Sequence, residues 1–248
     1  MSRTSSRRRR PAPWPVAVVA LLLAVAGAGG YAALTHGGAP AGPPAAGAST
    51  SLASPPGARS ATGLLDAPGA RAALAQLPVK GRAPATGYDR VARFGEAWLD
   101  VDKNGCDTRD DILARDLAAV TRRTDCAVLT GTLSDPYTGR SIAFTRGVQT
   151  SALVQIDHVV ALLDAWQTGA QGLSQDTRVQ LANDPLELLA VDGATNQAKG
   201  AGDAATWLPP NRGFRCEYAA RQVAVKAKYG LWVTAAEGAA LKGILAGC

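Results

Sequence analysis

The chain is poor in histidine. Its 248 residues hold two, His36 and His158. No C-x-x-C pair occurs among its four cysteines. Structural and catalytic zinc sites need several Cys and His ligands, so a zinc cluster is excluded as the basis of function. Acidic residues are absent from residues 1–36, which carry Arg3, Arg7, Arg8, Arg9 and Arg10. That segment supplies +5 of the formal +6, and the remaining 21 basic and 20 acidic residues nearly cancel. The basic balance therefore belongs to the N-terminal segment, and a polyanion has to be met by a local patch or a bound cation. Internal repeats are also missing, so a solenoid is excluded.

The N-terminal segment reads as an export signal. Four arginines precede an unbroken apolar run, Val16 to Ala26, followed by the A-x-A site Ala26-Gly27-Ala28. Weak apolar character continues to Leu34. Counted from Pro15, that is 20 residues, enough to span a bilayer if the segment is not cleaved. Residues 1–36 are thus a cleaved signal or an N-terminal anchor, and either one exports the remainder. An anchor over residues 15–34 would be the sole membrane contact. Residues 37–63 are Ala, Gly, Pro and Ser with almost no large side chain to bury, which predicts a disordered linker. His36 stands at its start, without function.

Residues 64–248 carry the folded body, and the fold class expected is α+β, mostly helical around a small antiparallel hairpin. Helical spacing runs from Thr62 to Leu77, with Leu65, Leu74 and Leu77 as candidate core. The stretch around Phe94 to Trp98 reads as a strand or turn with Trp98 buried. A second helix is predicted from Thr108, as N-cap, to Arg123, with Asp110 and Asp111 in its first turn and Arg122 and Arg123 in its last. Cys126–Leu133 and Ser141–Phe144 form the hairpin around Asp135-Pro136-Tyr137-Thr138-Gly139. Two helices close the chain, at about 216–228 and 235–245. Four cysteines in an exported protein predict two disulfides, with free thiols as the alternative. Three pairings are open. The favoured one joins Cys106 to Cys126, bracketing the helix from Thr108, and Cys216 to Cys248, tying the last two helices.

Two stretches carry the chemistry. Val154-Gln155-Ile156-Asp157-His158 is strand-like and ends in an acid beside the body's single imidazole. Leu186 to Val191 is a second apolar run, followed by Gly193 and a short polar helix bearing Asn196 and Lys199. His158 is the side chain whose ordinary pKa suits a general base near neutral pH. Asp157 and Asn196 offer a carboxylate and an amide oxygen, a donor set for Mg²⁺, Mn²⁺ or Ca²⁺. Adjacent strand residues point to opposite faces, so a site shared by Asp157 and His158 predicts irregular backbone there.

In that order the two stretches resemble the HNH (ββα-metal, or His-Me finger) nuclease signature. Residues 85–248 resemble exported bacterial HNH endonuclease family proteins, which are similar to the C-terminal domain of GmrSD-type restriction enzymes. Tyr88-Asp89-Arg90, Asn104-Gly105-Cys106-Asp107-Thr108-Arg109, Asn183-Asp184-Pro185 and Trp207-Leu208-Pro209-Pro210-Asn211 also carry the likeness. The resemblance implies His158 as general base, Asp157 and Asn196 on one divalent cation, Mg²⁺ first, and a nucleic acid substrate, DNA before RNA. Lys199, Arg178 and Arg221 are candidate phosphate contacts, along with Arg212, Arg215, Lys226 and Lys228. At the family's middle Asn this chain has Glu187, which can brace the connecting loop as an acceptor, with Asn183 as a possible substitute. The alternative is a noncatalytic envelope or binding module on a degenerate HNH scaffold. A hydrolase of another phosphodiester or of a cell-wall substrate would use the same residues.

Overall fold

The computed structural model describes residues 63–248. The predicted export segment, residues 1–36, and the linker up to residue 62 lie outside the described residues. Asp66 caps the first helix, α1 (Ala67–Leu74), by accepting from Gly69 N at 2.8 Å, with Pro68 in its first turn. The helix starts later than its apolar spacing suggests because Asp66 supplies the cap. Asp89 caps a short helix, α2 (Arg90–Phe94), and Gly95 at φ 83° stops it, so that Glu96 to Trp98 form a bend and turn, one of the two forms expected from Phe94 to Trp98.

The next helix, α3 (Thr108–Asp116), is capped by Asp107 and is half its predicted length. Leu117 turns the chain into β1 (Leu117–Arg122), which pairs antiparallel with β2 (Val128–Ser134). The apolar spacing through Val120 fits a helix locally. Pairing with β2 wins because Leu117 and Val128 then join the same core. Arg122 and Arg123 therefore do not close a helix. A hairpin links β2 to β3 (Ser141–Thr145), as the alternation predicts.

A separate two-stranded ladder follows, β4 (Val154–His158) against β5 (Leu188–Asp192). Helices α4 (Leu162–Gln167) and α5 (Gln175–Ala182) fill the connection between its strands. Helix α6 (Gly193–Lys199) leaves β5 directly and covers one face of the ladder, completing a ββα unit. The other face carries Val154, Ile156, Leu188 and Ala190 into a core with Ile112, Leu113 and Phe144. The long α7 (Arg215–Tyr229) and α8 (Ala235–Ala246) pack with α1. Disulfides join Cys106 to Cys126 and Cys216 to Cys248, the favoured pairing. No helix of the described residues is long and apolar enough to cross a membrane.

Candidate active site

The β4–β5 ladder is regular to its end, with His158 opposite Leu188 and Asp157 opposite Leu189. The irregular backbone expected at Asp157 and His158 is not there. Their side chains consequently leave opposite faces of the strand, and the two residues meet different neighbours.

Asp157 lies under α6. Its Oδ1 accepts from Lys199 Nζ at 2.9 Å, and its Oδ2 accepts from the Tyr137 hydroxyl. The same Lys199 ammonium donates to the His158 carbonyl at 2.6 Å. Both partners of this ion pair are buried. Lys199 is thus an internal clamp on the end of β4, not an exposed phosphate contact. Asn196, one turn earlier on α6, donates to Gln155 Oε1 at 3.0 Å. No hydrogen bond joins it to Asp157 or His158. The donor types suit a hard divalent cation, but the arrangement does not fit one. Asp157 has both oxygens occupied, and a protein ammonium already neutralises it.

His158 faces the other way, into a cleft between α2 and α5. Its Nε2 lies 2.9 Å from the Ala182 carbonyl. A carbonyl only accepts, so Nε2 carries the proton and Nδ1 keeps its lone pair. Arg90 Nη2 approaches Nδ1 at 3.5 Å. The Trp98 ring stacks on the imidazole at 5.9 Å between centroids and 16° between planes. Trp98 holds a left-handed backbone, φ 64°, a conformation rare for a bulky residue and frequent at functional sites. Burial, then the Arg90 charge, push the imidazole pKa down to about 3, so His158 is neutral at physiological pH. The cleft is lined by Arg90, Glu96, Trp98, His158, Ala182 and Asn183 and holds a cavity of about 20 Å³, room for one water.

Glu187 is fully buried, and its Oε2 accepts from Val160 N at 3.1 Å. Its backbone carbonyl also takes Val159 N, at 2.9 Å. The residue thereby fixes the turn that follows His158. Burial raises its pKa well above the carboxylate range. Asn183 donates through Nδ2 to Val179 O at 3.0 Å, while its Oδ1 is buried with no partner.

The expected phosphate patch is not formed by Arg178 and Arg221. Arg178 is buried and donates to the carbonyls of Arg93, Ala170 and Leu173. Arg221 is buried between Leu186 O and Glu217. Both satisfy backbone carbonyls inside the fold. Lys226 is buried too, on Asp164 and Glu237. Lys228 is half-exposed and paired with Asp184. Sequence reasoning missed Arg90 and Trp98 as neighbours of His158. Arg90 was signalled only by the Tyr88-Asp89-Arg90 likeness, and Trp98, expected to be buried, is half-buried against the imidazole.

Trp98 also leads into a loop in which Asp100, Asp102, Asn104, Gly105 and Asp111 follow D-x-D-x-N-G-x₅-D. That is the spacing of a calcium loop with Asp in place of the twelfth-position Glu. Asn104 Nδ2 bridges Asp102 and Asp111 there, at 3.2 and 3.1 Å.

Fold and site together define an α+β protein built on a ββα unit, with a neutral imidazole at the end of its first strand. The chain belongs to the family of the GmrSD restriction endonuclease C-terminal domain, which it matches over residues 107–244. It is 35% identical over 174 residues to an "Uncharacterized secreted protein" of Arthroderma benhamiae, covering 69% of this chain and 81% of the relative. No solved structure matches it. Arg90 and Trp98 lie N-terminal to the family match.

Proposed function

We propose that the chain is an exported nuclease that hydrolyses phosphodiester bonds of nucleic acid, DNA first, with His158 as general base. One observation carries the reading. The Ala182 carbonyl fixes the His158 tautomer, so Nδ1 is unprotonated and meets the Arg90 guanidinium at 3.5 Å, in a cleft with a cavity the size of one water. In the reaction, Nδ1 takes a proton from that water as its oxygen bonds to phosphorus. The bond from phosphorus to the 3′ oxygen breaks, and solvent protonates the leaving oxygen. Membership of a restriction endonuclease family supports this chemistry, and the secreted relative supports export. An open groove of about 580 Å³ shares Asn183 with the cleft and includes Thr177, Gln180 and Lys228, the last of them paired with Asp184 in the same groove.

Mg²⁺ is the cofactor proposed with this reading. Asp157 and Asn196 would hold it only after Lys199 had withdrawn from Asp157. The locked Asp157–Lys199 pair equally favours a second reading, a binding module without catalysis. Plasmid nicking by the full, disulfide-intact chain separates the two, run with Mg²⁺, Mn²⁺, Ca²⁺ and EDTA. Nicking lost in His158→Ala at unchanged melting temperature supports the nuclease. Nicking retained in that variant removes His158 as the base, and no nicking by the parent under any condition supports the binding module.

A further inference from the structure

We infer that the groove between α1 and α8 is a second binding site, and that it takes a single-chain fatty acid of medium length. The inference goes beyond the nuclease reading and does not rest on it. The groove shares no residue with the His158 cleft.

The two sides of the groove run antiparallel. At one end Arg71 of α1 donates through Nη1 to Leu245 O, near the end of α8, at 2.8 Å. At the other end Val79 pairs with Val233, which precedes α8. Backbone bonds fix that end, Lys80 N donating to Val233 O and Val233 N to Pro78 O, both at 3.0 Å. Between the ends opens a volume of about 480 Å³, within the range of small-molecule sites. The stretch of α8 that lines it, Ala235 to Lys242, rises about 10 Å at the helical rise per residue.

Polarity changes along that length. Val79, Val233 and Leu77 make one end apolar, and Val79 is 63% exposed there. Arg71 and Lys242 line the other end together, since Lys242 lies one turn before the Leu245 carbonyl that Arg71 reaches. Lys242 is exposed, with no hydrogen bond or ion pair among the described residues. Arg71 commits one N–H of its five to Leu245 O and makes no ion pair. Among the described residues, no acid lines the groove. Two unopposed cations at one end call for an anion, and the guanidinium fork suits a carboxylate. The rest of the lining has no polar side chain, so the amides of a bound peptide would be stranded over it. An alkyl chain needs no such partner, and its burial on Val79 removes apolar surface from water. A groove of about 10 Å is shorter than the roughly 15 Å of one bilayer leaflet. That length favours one medium chain over the two long chains of a membrane lipid.

The test titrates octanoate, decanoate and laurate, below micelle concentrations, into the full, disulfide-intact chain and reads binding by calorimetry. Decanol serves as the uncharged probe, and phosphatidylglycerol vesicles as the membrane probe. Decanoate should bind one to one, about fourfold tighter for each methylene added until the groove is full. Decanol should bind more weakly. Lys242→Glu, which sets a like charge beside the head group, should weaken decanoate about fivefold and leave decanol unchanged. Ala239→Trp, at an exposed position midway along the groove, should abolish binding of both. Unchanged melting temperatures without ligand show that the two variants are folded, and Lys242→Glu decides alone if Ala239→Trp is not. No binding by the parent, or equal binding by a folded Ala239→Trp, overturns the site. Decanol bound as tightly as decanoate, or decanoate unaffected by Lys242→Glu, overturns the anionic head group and the assignment with it. Binding to vesicles by a parent that ignores free decanoate gives the groove to a membrane surface and overturns the free acid.

Discussion

Lys199 shows how far a residue's role depends on its surroundings. Three positions after Asn196 on a short helix, it reads as a cation offered to a phosphate. In the fold its ammonium is buried between Asp157 and the His158 carbonyl, 42 and 41 positions away in sequence. Breaking a buried ion pair leaves an uncompensated charge, which costs about 3–5 kcal/mol. Lys199→Ala should therefore lower the unfolding free energy by about that amount, measured by urea denaturation. Asp157→Asn combined with Lys199→Met should recover part of the loss, because neither charge is then stranded. A Lys199→Ala chain with unchanged stability but weaker nucleic acid binding would restore the phosphate role. The same contrast holds for His158. Its identity as the single imidazole of the body was legible from the sequence, as was its place at a strand end. The face it looks toward was not, because that depends on whether the ladder stays regular.

Among the elements, the ββα unit was legible and the segment before it was not. Two apolar runs, a Gly turn and a polar helix announce β4, β5 and α6 through local pattern. The strand β1 was hidden inside a helical pattern, since Leu117 and Val120 continue the spacing of Ile112 and Leu113. Only the partner strand β2, with Gly131 giving Leu117 room, decides against the helix. An added Cβ at Gly131 would lie 2.8 Å from Leu117 Cδ2. The element most sensitive to substitution is the β5–α6 junction. An added Cβ at Gly193 would lie 2.1 Å from the Ala152 carbonyl oxygen, which is backbone and cannot swing aside. Gly193→Ala should therefore push α6 off the ladder and cost about 1–3 kcal/mol or more, the range for overpacking. A drop in melting temperature, with loss of the Asn196–Gln155 contact by NMR, checks this. Unchanged stability would mean that the junction is looser than the structure has it.

At the scale of the whole molecule, disulfides and a buried charge network hold together what sheets and helices leave separate. Cys106–Cys126 closes 20 residues and Cys216–Cys248 closes 32. Loop-closure entropy gives each about 3–4 kcal/mol, so reduction should cause a large fall in melting temperature. Double Cys→Ser variants should show comparable losses for the two bridges.

The network is the more unusual feature. Asp164, Asp203 and Glu237 come together from α4, from the turn after α6 and from α8, all buried. Arg82 meets Asp164 at 2.9 Å and Asp203 at 2.7 Å, and Lys226 meets Asp164 at 3.1 Å and Glu237 at 2.8 Å. Three acids face two cations, so ionising all three leaves one net negative charge in the interior. Burial, opposed by Lys226, raises the Glu237 pKa to about 7. A carboxyl whose folded pKa exceeds its unfolded value binds more protons in the native state between those pKa values. Its stabilising contribution is complete below the unfolded value and declines as pH rises toward the folded one. The chain should thus lose stability between about pH 4.5 and 7 through Glu237, then level off above. Glu237→Gln keeps the shape and fixes the neutral form, leaving two acids against two cations. Its unfolding free energy should match the parent near pH 5, exceed it near pH 8, and lack this slope. Denaturant titrations at several pH values decide the matter. Parallel profiles for the two proteins would show that Glu237 is ionised throughout, with Lys226 carrying both carboxylates.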